Sequence, residues 1–511
     1  MLRLHHRVAL FCLSRPFLPL LPLLCTVSAQ GLHTTVSASG QTQPVHEYHA
    51  LSKHYRDRHA PSLGYLDWAN QPNPFRFYHP ASSEHVFRLP LDAPSIPAQS
   101  VALSRESLSS FFYHSLALSA WKVAGRSRWS LRVNPSSGNL HPTEAYVVAR
   151  ASVFNHMLST VFHYMPQLHA LERRATGPKA HTGWSVCADI TYVDEAEGDT
   201  TFFLALTSVY WREAWKYGNT RYCQHDTGHA LAAISFAARM LGWSVEVVDS
   251  VGDGEIDAMI GLDRQSDFDP SETEHAELLL LVRTRPSLPG GVRPIPRNDI
   301  EEDTTQWFGT GESILSFVTI CTLWPAIDTI AGLTRKPRTP GVYLSTAAPP
   351  ARNVVRKAEA VPQSTGSSEM PAAGVVRQRR SAVDMDGETE ISIDTFATML
   401  RHVLPNVDIL LDPWDAVPTF PTRVHLLLFV HRVRHLAPGL YALVRDAEHE
   451  NELKRVFRPD FVCRSDHPLL RDLPLFGLQM GDWRNLSKAR CVLPSGYRGG
   501  RCLCSGYARS V

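Results

Sequence analysis

The hydrophobic positions in the N-terminal part of the chain predict alternating strands and helices. Uninterrupted apolar runs at 146–149, 201–209 and 278–282 are typical of buried strands. Within 230–241, apolar residues recur every three or four positions, which is the stripe of a helix that packs on a core. Gly242 follows this stripe and is suited to end the helix.

The same part of the chain contains further predicted elements. Residues 103–107 start a helix that continues over 108–123, with its apolar side chains in the core. Residues 153–172 predict a helix and a connection, and residues 244–249 predict a short strand. Strands that alternate with helices indicate either an α+β or an α/β fold. We predict the α+β class, with a central sheet flanked by helices.

The C-terminal part shows the same mixture on a smaller scale. Residues 313–333 are apolar, but Pro325 and Asp328 interrupt them, which favours a pair of core helices over a membrane span. Residues 335–376 are rich in Pro, Ala and Ser, and this composition predicts a disordered linker. Beyond the linker, the pattern predicts one helix and two strands, at 391–403, 424–430 and 439–444.

The composition is that of an ordinary globular protein. Of the 511 residues, 44% are hydrophobic and 20% are charged, and the formal net charge is +1. A chain this close to neutrality gives no indication of nucleic acid or an anionic membrane as its partner. The nine cysteines are scattered without Cys-x-x-Cys spacing, which disfavours a disulfide framework and a structural zinc site.

The N-terminal segment has the composition of a targeting sequence. Residues 1–46 contain no Asp or Glu, but they contain several Arg and Ser residues and an apolar run at 18–27. This composition fits a mitochondrial transit peptide, and a secretory signal has similar features. Arg15 and Pro16 interrupt the apolar stretch, and free cysteines suit a reducing compartment. We therefore expect a mitochondrial or cytoplasmic protein, with a secretory signal as the alternative.

A polar turn precedes the predicted strand at 146–149. From Ser130 to Pro142 the chain reads Ser-Leu-Arg-Val-Asn-Pro-Ser-Ser-Gly-Asn-Leu-His-Pro. The Asn-Pro pair starts a turn, and Gly138 tolerates a positive φ or a close backbone approach. The two small serines leave backbone N–H groups and hydroxyls free to face a ligand, and Arg132 supplies a guanidinium for an anion. These features suit a flat heterocycle with a phosphate tail; a surface loop before a strand is the alternative interpretation.

A second motif runs into the predicted helix at 230–241. Residues 217–229 read Tyr-Gly-Asn-Thr-Arg-Tyr-Cys-Gln-His-Asp-Thr-Gly-His. His225 and His229 are four positions apart, the spacing of a His-Glu-x-x-His zinc site. Asp226 is one carbon shorter than the Glu of that motif, and no third ligand is evident, so a metal site is the less favoured interpretation. Gly228 is better suited to the close approach of a flat ligand.

These two motifs, in this order, resemble those of the flavin-dependent nitroreductase superfamily, in particular its SagB-type dehydrogenases, over about residues 45–290. The resemblance implies a nitroreductase-like sheet, bound FMN, and an oxidoreductase that transfers hydride through this flavin. It also implies that the turn and the start of the following helix contact the flavin. The residues implied for the flavin are Arg132, Asn134, Pro135, Ser136, Ser137, Gly138, Asp226, Gly228 and His229, and those for its phosphate are Arg221 and Arg379.

The second half carries a third short motif. Arg379-Arg380-Ser381 resembles the opening of nitroreductases, where an Arg and a Ser hold the flavin phosphate; the basic end of a linker is the alternative interpretation. The first half lacks this opening, and the second half lacks a Pro-Ser-Ser-Gly turn. Because both protomers of a nitroreductase dimer contribute to the flavin, the resemblance implies two related halves that form an intramolecular pseudo-dimer with about one FMN per chain. A homodimer is the alternative.

We divide the chain by these motifs and by composition. The divisions are 1–44, a targeting or disordered segment; 45–300, the flavin domain; 301–334, a helical connection; 335–376, the linker; 377–489, a second, partial nitroreductase-like domain; and 490–511, a divergent tail that resembles no family segment.

The catalytic base and the substrate are less defined than the flavin. SagB-like enzymes are associated with a Lys and a Tyr as base, and Lys216 and Tyr217 beside the flavin helix are our candidates. A structural role is the alternative for both. The resemblance implies a small-molecule or modified-peptide substrate, with NAD(P)H as an electron donor to be tested. A different class of function also stays open: a flavin-binding or peptide-binding scaffold whose catalytic residues have decayed.

Overall fold

The computed structural model describes both halves of the chain. The described residues are 42–53, 72–78, 84–91, 100–125, 127–149, 159–177, 201–214, 220–269, 272–284, 305–311, 326–339, 371–380, 386–404, 424–446, 449–456, 463–464 and 467–484.

Helices and strands are mixed along the chain. The elements of the N-terminal half are α1 (Thr42–Leu51), β1 (Val86–Arg88), α2 (Arg105–Tyr113), β2 (Leu118–Ala124), β3 (Ser127–Arg132), β4 (Thr143–Ala149), β5 (Ser159–Met165), β6 (Ala170–Gly177), β7 (Thr201–Val209), α3 (Trp211–Ala214), α4 (Thr220–Met240), β8 (Ser244–Val247), α5 (Asp253–Ile260), β9 (Glu274–Arg283), β10 (Gln306–Trp307) and α6 (Ala326–Leu333). Those of the C-terminal half are α7 (Ala372–Gln378), α8 (Ile393–His402), β11 (Leu426–Val430), β12 (Gly439–Leu443), α9 (Glu450–Val456), β13 (Cys463–Arg464) and β14 (Leu475–Met480).

An antiparallel sheet forms the centre of the N-terminal half. Its strand order is β1-β6-β5-β4-β7-β9-β8, and β10 pairs with β6. Helices α2 and α4 pack on one face of this sheet and α5 on the other, so that neighbouring residues such as Val147 and Val148 lie in opposite cores. Every residue of β7 is therefore buried, which explains its uninterrupted apolar sequence. The chain has the α+β architecture that the sequence predicts.

The long predicted helix over 108–123 is wrong in its second half. Helix α2 begins with a capping box between Ser104 and Ser107 and ends at Tyr113. The following residues form the β2–β3 hairpin, which is a separate two-stranded sheet. Trp121, predicted to be buried, is 43% exposed there, and the Arg128 guanidinium lies 4.1 Å from the centre of its ring.

The predicted helix in 153–172 is also wrong. Within this range the chain forms β5 and the start of β6, which pair antiparallel from Ser159↔Gly177 to Met165↔Ala170. Consecutive residues such as Val161 and Phe162 are buried against different cores, so this strand lacks the polar alternation that marks a half-exposed one. A short apolar run without alternation does not distinguish a strand from a buried helix.

The C-terminal half contains a smaller sheet in the order β11-β12-β14-β13. The predicted helix and two strands of this half are confirmed as α8, β11 and β12. Helix α7 lies across the predicted boundary between linker and second domain, and its residues Ala372, Ala373 and Val376 pack against the core of the N-terminal half. None of the helices described in either half is long and apolar enough to cross a membrane.

Candidate functional site

The two motifs that the resemblance pairs lie in direct contact. Asp226, in the second turn of α4, accepts a hydrogen bond from Ser136 Oγ at 2.6 Å and one from the Ser137 backbone N–H at 2.9 Å. The Ser136 hydroxyl in turn accepts the His141 N–H at 2.8 Å. These groups are therefore engaged within the protein, whereas the sequence predicted that they would be free to face a ligand.

The turn holds an unusual concentration of left-handed backbone. Gly138 has a φ of +67°, which its sequence context predicts. Asn139 and His141 also have positive φ, at +61° and +48°, a conformation that is uncommon for residues with a side chain. The Asn139 side chain compensates in part, because it donates to the Ser130 carbonyl at 2.7 Å and pairs with His141 Nε2 at 2.9 Å. Such strain persists only where surrounding contacts impose it, and it is frequent at ligand sites.

Arg132 lies beneath the turn. It is 5% exposed and donates to the backbone carbonyls of Pro74 and Thr143. Burial lowers the pKa of Arg132 to about 10, although Glu144 raises it. Its guanidinium therefore supports the start of β4 and the segment around Pro74, and it contributes positive charge under the turn.

Several buried polar atoms of this segment have no hydrogen-bond partner among the described residues. They are Ser130 Oγ, Arg132 Nε, Asn134 Oδ1, His141 Nδ1 and Thr143 Oγ1. Because His141 Nε2 is paired with a side-chain oxygen and burial keeps the pKa of His141 well below its usual value, the bare Nδ1 is a lone-pair acceptor. Buried polar groups are normally paired, so this segment carries more hydrogen-bonding capacity than the described protein satisfies. Water or a polar ligand would complete it.

A buried ionic row fixes the far end of the turn. Arg212 of α3 donates to the His141 carbonyl and to Glu144 Oε1, the latter at 2.6 Å. Glu144 Oε2 lies 3.0 Å from His163 Nε2, and His163 Nδ1 lies 3.3 Å from Glu172. Burial raises the pKa of Glu144, but Arg212 and His163 outweigh this effect and lower it to about 2. Sequence reasoning missed this row, although charged residues next to fully apolar strands were a signal for it.

Arg221 faces the N-terminal helix. Its guanidinium donates to His49 Nδ1, the His49 carbonyl and Ser52 Oγ, at 2.8–2.9 Å. The Tyr48 hydroxyl accepts the Thr220 N–H at 3.1 Å and so satisfies one donor at the start of α4. Helix α1 therefore engages the Arg221 guanidinium, which the sequence assigned to the flavin phosphate, and one backbone donor at the start of α4.

Gly228 and His229 follow Asp226 along α4. Gly228 is half-buried, and the His229 side chain is 50% exposed, with Nδ1 3.9 Å from Asp226 Oδ1. Within the part of the chain that the structure describes, no group of three or more His, Cys, Asp or Glu side chains is arranged to hold a metal ion. On the turn itself, Pro135 and Gly138 are the exposed positions.

Basic residues of the C-terminal half reach the neighbourhood of Arg132. Arg377 donates to the carbonyls of Tyr113 and Leu118. Arg380 donates to the Ser119 carbonyl at 3.0 Å, and the Ser119 hydroxyl donates to the Arg132 carbonyl at 3.2 Å.

The four arginines predicted near the flavin differ in availability. Arg132, Arg221 and Arg380 make side-chain hydrogen bonds to other parts of the protein. The exposed Arg379 makes none to the described residues. Three other predicted site residues, Lys216, Tyr217 and Ser381, lie outside the described residues.

Ser109, His169 and Tyr164 form a second hydrogen-bonded group, in which the histidine cannot act as a base for the serine. Ser109 Oγ lies 2.9 Å from His169 Nε2, and His169 Nδ1 lies 2.8 Å from the Tyr164 hydroxyl. The Ser109 hydroxyl donates to the Pro90 carbonyl, which has no proton to give. His169 Nε2 must therefore donate to Ser109 and cannot accept its proton, so the array is structural.

Comparison with known proteins gives matches only among solved structures. No protein-family model and no curated protein matches the chain. A protein assigned as a nitroreductase from Anabaena variabilis is 18% identical with a TM-score of 0.49, over 84% of this chain and 83% of that one. The E. coli microcin synthetase McbBCD complex, with truncated pro-MccB17 bound, is 16% identical with a TM-score of 0.28, over 53% of this chain and 94% of that one.

A third solved structure has a similar degree of likeness. A protein assigned as a nitroreductase from Ralstonia eutropha is 13% identical with a TM-score of 0.27, over 45% of this chain and all of that one. Because these identities and TM-scores are low, the function of this chain has to be inferred from its own residues.

Proposed function

We propose that the chain is an FMN-dependent oxidoreductase of the nitroreductase and SagB-like type. The observation that carries this proposal is the contact between the turn at 134–141 and the start of α4 through Asp226. The unpaired polar atoms of this segment and its left-handed backbone support a polar ligand there. Bound FMN would supply hydride transfer, and the chain would supply binding and orientation.

Some side chains of the site would contact the flavin directly, and others, already hydrogen-bonded within the protein, would hold the turn in shape. Asn134, Pro135 and Gly138 of the turn, with Gly228 and His229 of α4, would hold the flavin ring. Arg379 and Ser381 would hold its phosphate, because the Arg379 guanidinium is not engaged by the described residues. Arg132, Ser136, Ser137 and Asp226 would act indirectly, by fixing the shape of the turn. Lys216 and Tyr217 stay the candidates for the base.

The two halves would form one site. The bonds from Arg380 to Ser119 and from Ser119 to Arg132 join the C-terminal half to the strand that enters the turn, which supports an intramolecular pseudo-dimer. Reconstitution of the full-length chain with FMN tests this proposal. We expect a yellow protein with about one FMN per chain, and a stoichiometry of two would reject the shared site.

A scaffold without catalytic activity is the second candidate. The engagement of Thr220 and Arg221 by α1 favours it, because groups suited to a phosphate are already occupied. Flavin absorbance that NADH or NADPH bleaches would favour the enzyme, and a colourless chain without affinity for added FMN would favour the scaffold. A turnover screen with NAD(P)H, nitroaromatics, oxygen and azoline-containing peptides would then identify the substrate class. Fractionation of cells would test the mitochondrial or cytoplasmic location.

A further inference from the structure

One carboxylate fastens the whole polar turn to α4. Asp226 accepts from Ser136 Oγ and from Ser137 N–H, and Ser136 Oγ accepts from His141 N–H. Gly138 and Asn139 between these anchors have positive φ, and so does the anchor His141. A strained conformation persists only while such contacts outweigh its cost. The turn therefore depends on the hydrogen-bonding state of Asp226.

A proton on Asp226 would change which groups donate and which accept in these hydrogen bonds. The Ser137 N–H can only donate, so it needs an acceptor oxygen on Asp226. The Ser136 hydroxyl already accepts the His141 N–H and donates its own proton to Asp226. If Asp226 carried a proton on Oδ2, Ser136 would lose its acceptor at 2.6 Å and would have to accept two donors or move away. The observed network fits the charged carboxylate.

The surroundings of Asp226 favour its neutral form. Asp226 is 1% exposed, and burial raises its pKa to about 6 although the bonds from Ser136 and Ser137 lower it. On its own helix, the half-exposed His229 lies 3.9 Å away, and Cys223 is electrostatically coupled to it. The other ionisable groups coupled to the neighbouring Cys223 are Glu213 and Arg212 on α3 and Glu277 on β9, and His141 lies in the turn itself.

We propose that Asp226 is a positioning residue whose charge state sets the conformation of the turn and, through it, the retention of the flavin. The part about the conformation of the turn stands alone, and the part about the retention of the flavin rests on the proposed function. With Asp226 charged, the turn keeps the conformation described above. With Asp226 neutral, the anchors at Ser136 and Ser137 weaken, and the turn loosens around a carboxyl that stays buried.

Amide hydrogen exchange of the full-length chain without flavin tests the first part. Exchange of a peptide covering 134–142 is compared at about pH 5 and about pH 8, after correction for the intrinsic exchange rate of the unstructured sequence. We expect protection about tenfold higher at the upper pH, because the bonds from Ser136 and Ser137 lower the pKa of Asp226 and are made only in the anchored turn, so that the charged carboxylate favours this turn. A tenfold change in population corresponds to about one pK unit. Equal protection at both values would overturn the inference, and this comparison needs no substitution.

Asp226→Asn extends the exchange experiment, with Asp257→Asn as its control. Asp257 is also a buried carboxylate with a raised pKa caused by burial, but it lies on α5 and is bonded to Arg335. We expect Asp226→Asn to abolish the pH dependence of turn protection and Asp257→Asn to preserve it. An Asp226→Asn chain with the protection and pH dependence of wild type would overturn the inference.

FMN titration, followed by flavin fluorescence, tests the second part. We expect affinity for FMN about tenfold lower at about pH 5 than at about pH 8, and a weak, pH-independent affinity in Asp226→Asn. Absence of FMN binding at either pH, together with pH-dependent exchange, would reject the proposed function and leave the positioning role standing. FMN affinity that is unchanged by pH and by the substitution would overturn the link between the turn and the flavin.

Discussion

The replacement Asp226→Asn should stabilise the fold at neutral and alkaline pH. In the folded chain, burial raises the pKa of Asp226 from 3.8 to about 6. Between these two values, the folded state binds more protons than the unfolded state. The free energy of unfolding therefore falls as the pH rises through this window and stays reduced above it. Asparagine carries no charge to desolvate, so the variant escapes this loss.

The magnitude follows from the size of the shift. A shift of about two pK units corresponds to about 3 kcal/mol at roughly 1.4 kcal/mol per unit. This value already includes the hydrogen bonds from Ser136 and Ser137, since both lower the pKa of Asp226. The value is an upper limit, because the asparagine amide replaces the carboxylate imperfectly. Its oxygen can accept from Ser137, but its nitrogen can only donate to Ser136, which donates to the carboxylate in wild type. We expect a gain of about 1–3 kcal/mol at about pH 8.

Urea unfolding of the full-length chain, followed by tryptophan fluorescence, measures this gain. Wild type and Asp226→Asn are compared at about pH 8 and about pH 4, where the carboxyl is protonated in the folded state and the gain should disappear. Asp386→Asn is the control. Hydrogen bonds from Thr389 and Glu388 lower the pKa of this exposed carboxyl, so we expect this substitution to lower, not raise, the free energy of unfolding at about pH 8. A variant that is less stable than wild type at about pH 8, or a gain equal at both pH values, would refute this reasoning.

Further substitutions separate binding from folding. Gly138→Ala puts a side chain at φ +67° and should weaken FMN binding about tenfold, whereas Gly125→Ala, at φ +59° with open space around it, should leave binding unchanged in the same fluorescence titration. Arg379→Ala should weaken FMN binding by about 1 kcal/mol without a change in melting temperature. Arg380→Ala, which loses a bond to the N-terminal half, should lower both the affinity for FMN and the melting temperature. His163→Leu should lower the free energy of unfolding by about 3–5 kcal/mol in urea, because two buried glutamates lose their shared cation. The contribution of His163 in wild type should be lost as the pH rises through its pKa, because the flanking carboxylates raise that pKa above its ordinary value although burial lowers it.

The elements with a clear period or clear end signals could be predicted from the sequence. The stripe at 230–241 identifies α4, and Gly242 ends it with a φ of +71°. The helix begins ten residues earlier, at Thr220, because its first turns contain polar residues that bond to the turn and to α1 and so interrupt the apolar stripe. Strands buried on both faces, such as β5, have no period, and the prediction of a helix in 153–172 is therefore wrong.

The contact between the two motifs was predictable from the sequence, whereas most of the hydrogen-bond partners of their residues were not. The contact of the turn at 134–141 with the start of α4 follows from the two motifs, and the structure contains it through Ser136, Ser137 and Asp226. The partners of Arg132 are backbone carbonyls, and any residue in an extended segment could supply them. No residue pattern encodes such a contact, so the sequence alone favours an anion as the partner of the Arg132 guanidinium. Arg212 was missed for the same reason, since one of its two partners is the carbonyl of His141.

The turn is held from three directions, and each contact uses a buried charge or a strained residue. Asp226 holds its centre, Arg212 holds its end, and Asn139 ties it back to β3. A surface loop that merely connected β3 to β4 would need none of these contacts, because flexible connections cost little stability. Buried charges lower stability unless they are fully paired, and the raised pKa of Asp226 indicates such a cost. Contacts that lower stability while fixing one conformation are expected where that conformation is preorganised for binding. The energetic balance of the turn, independently of any resemblance, therefore favours a binding site at this position.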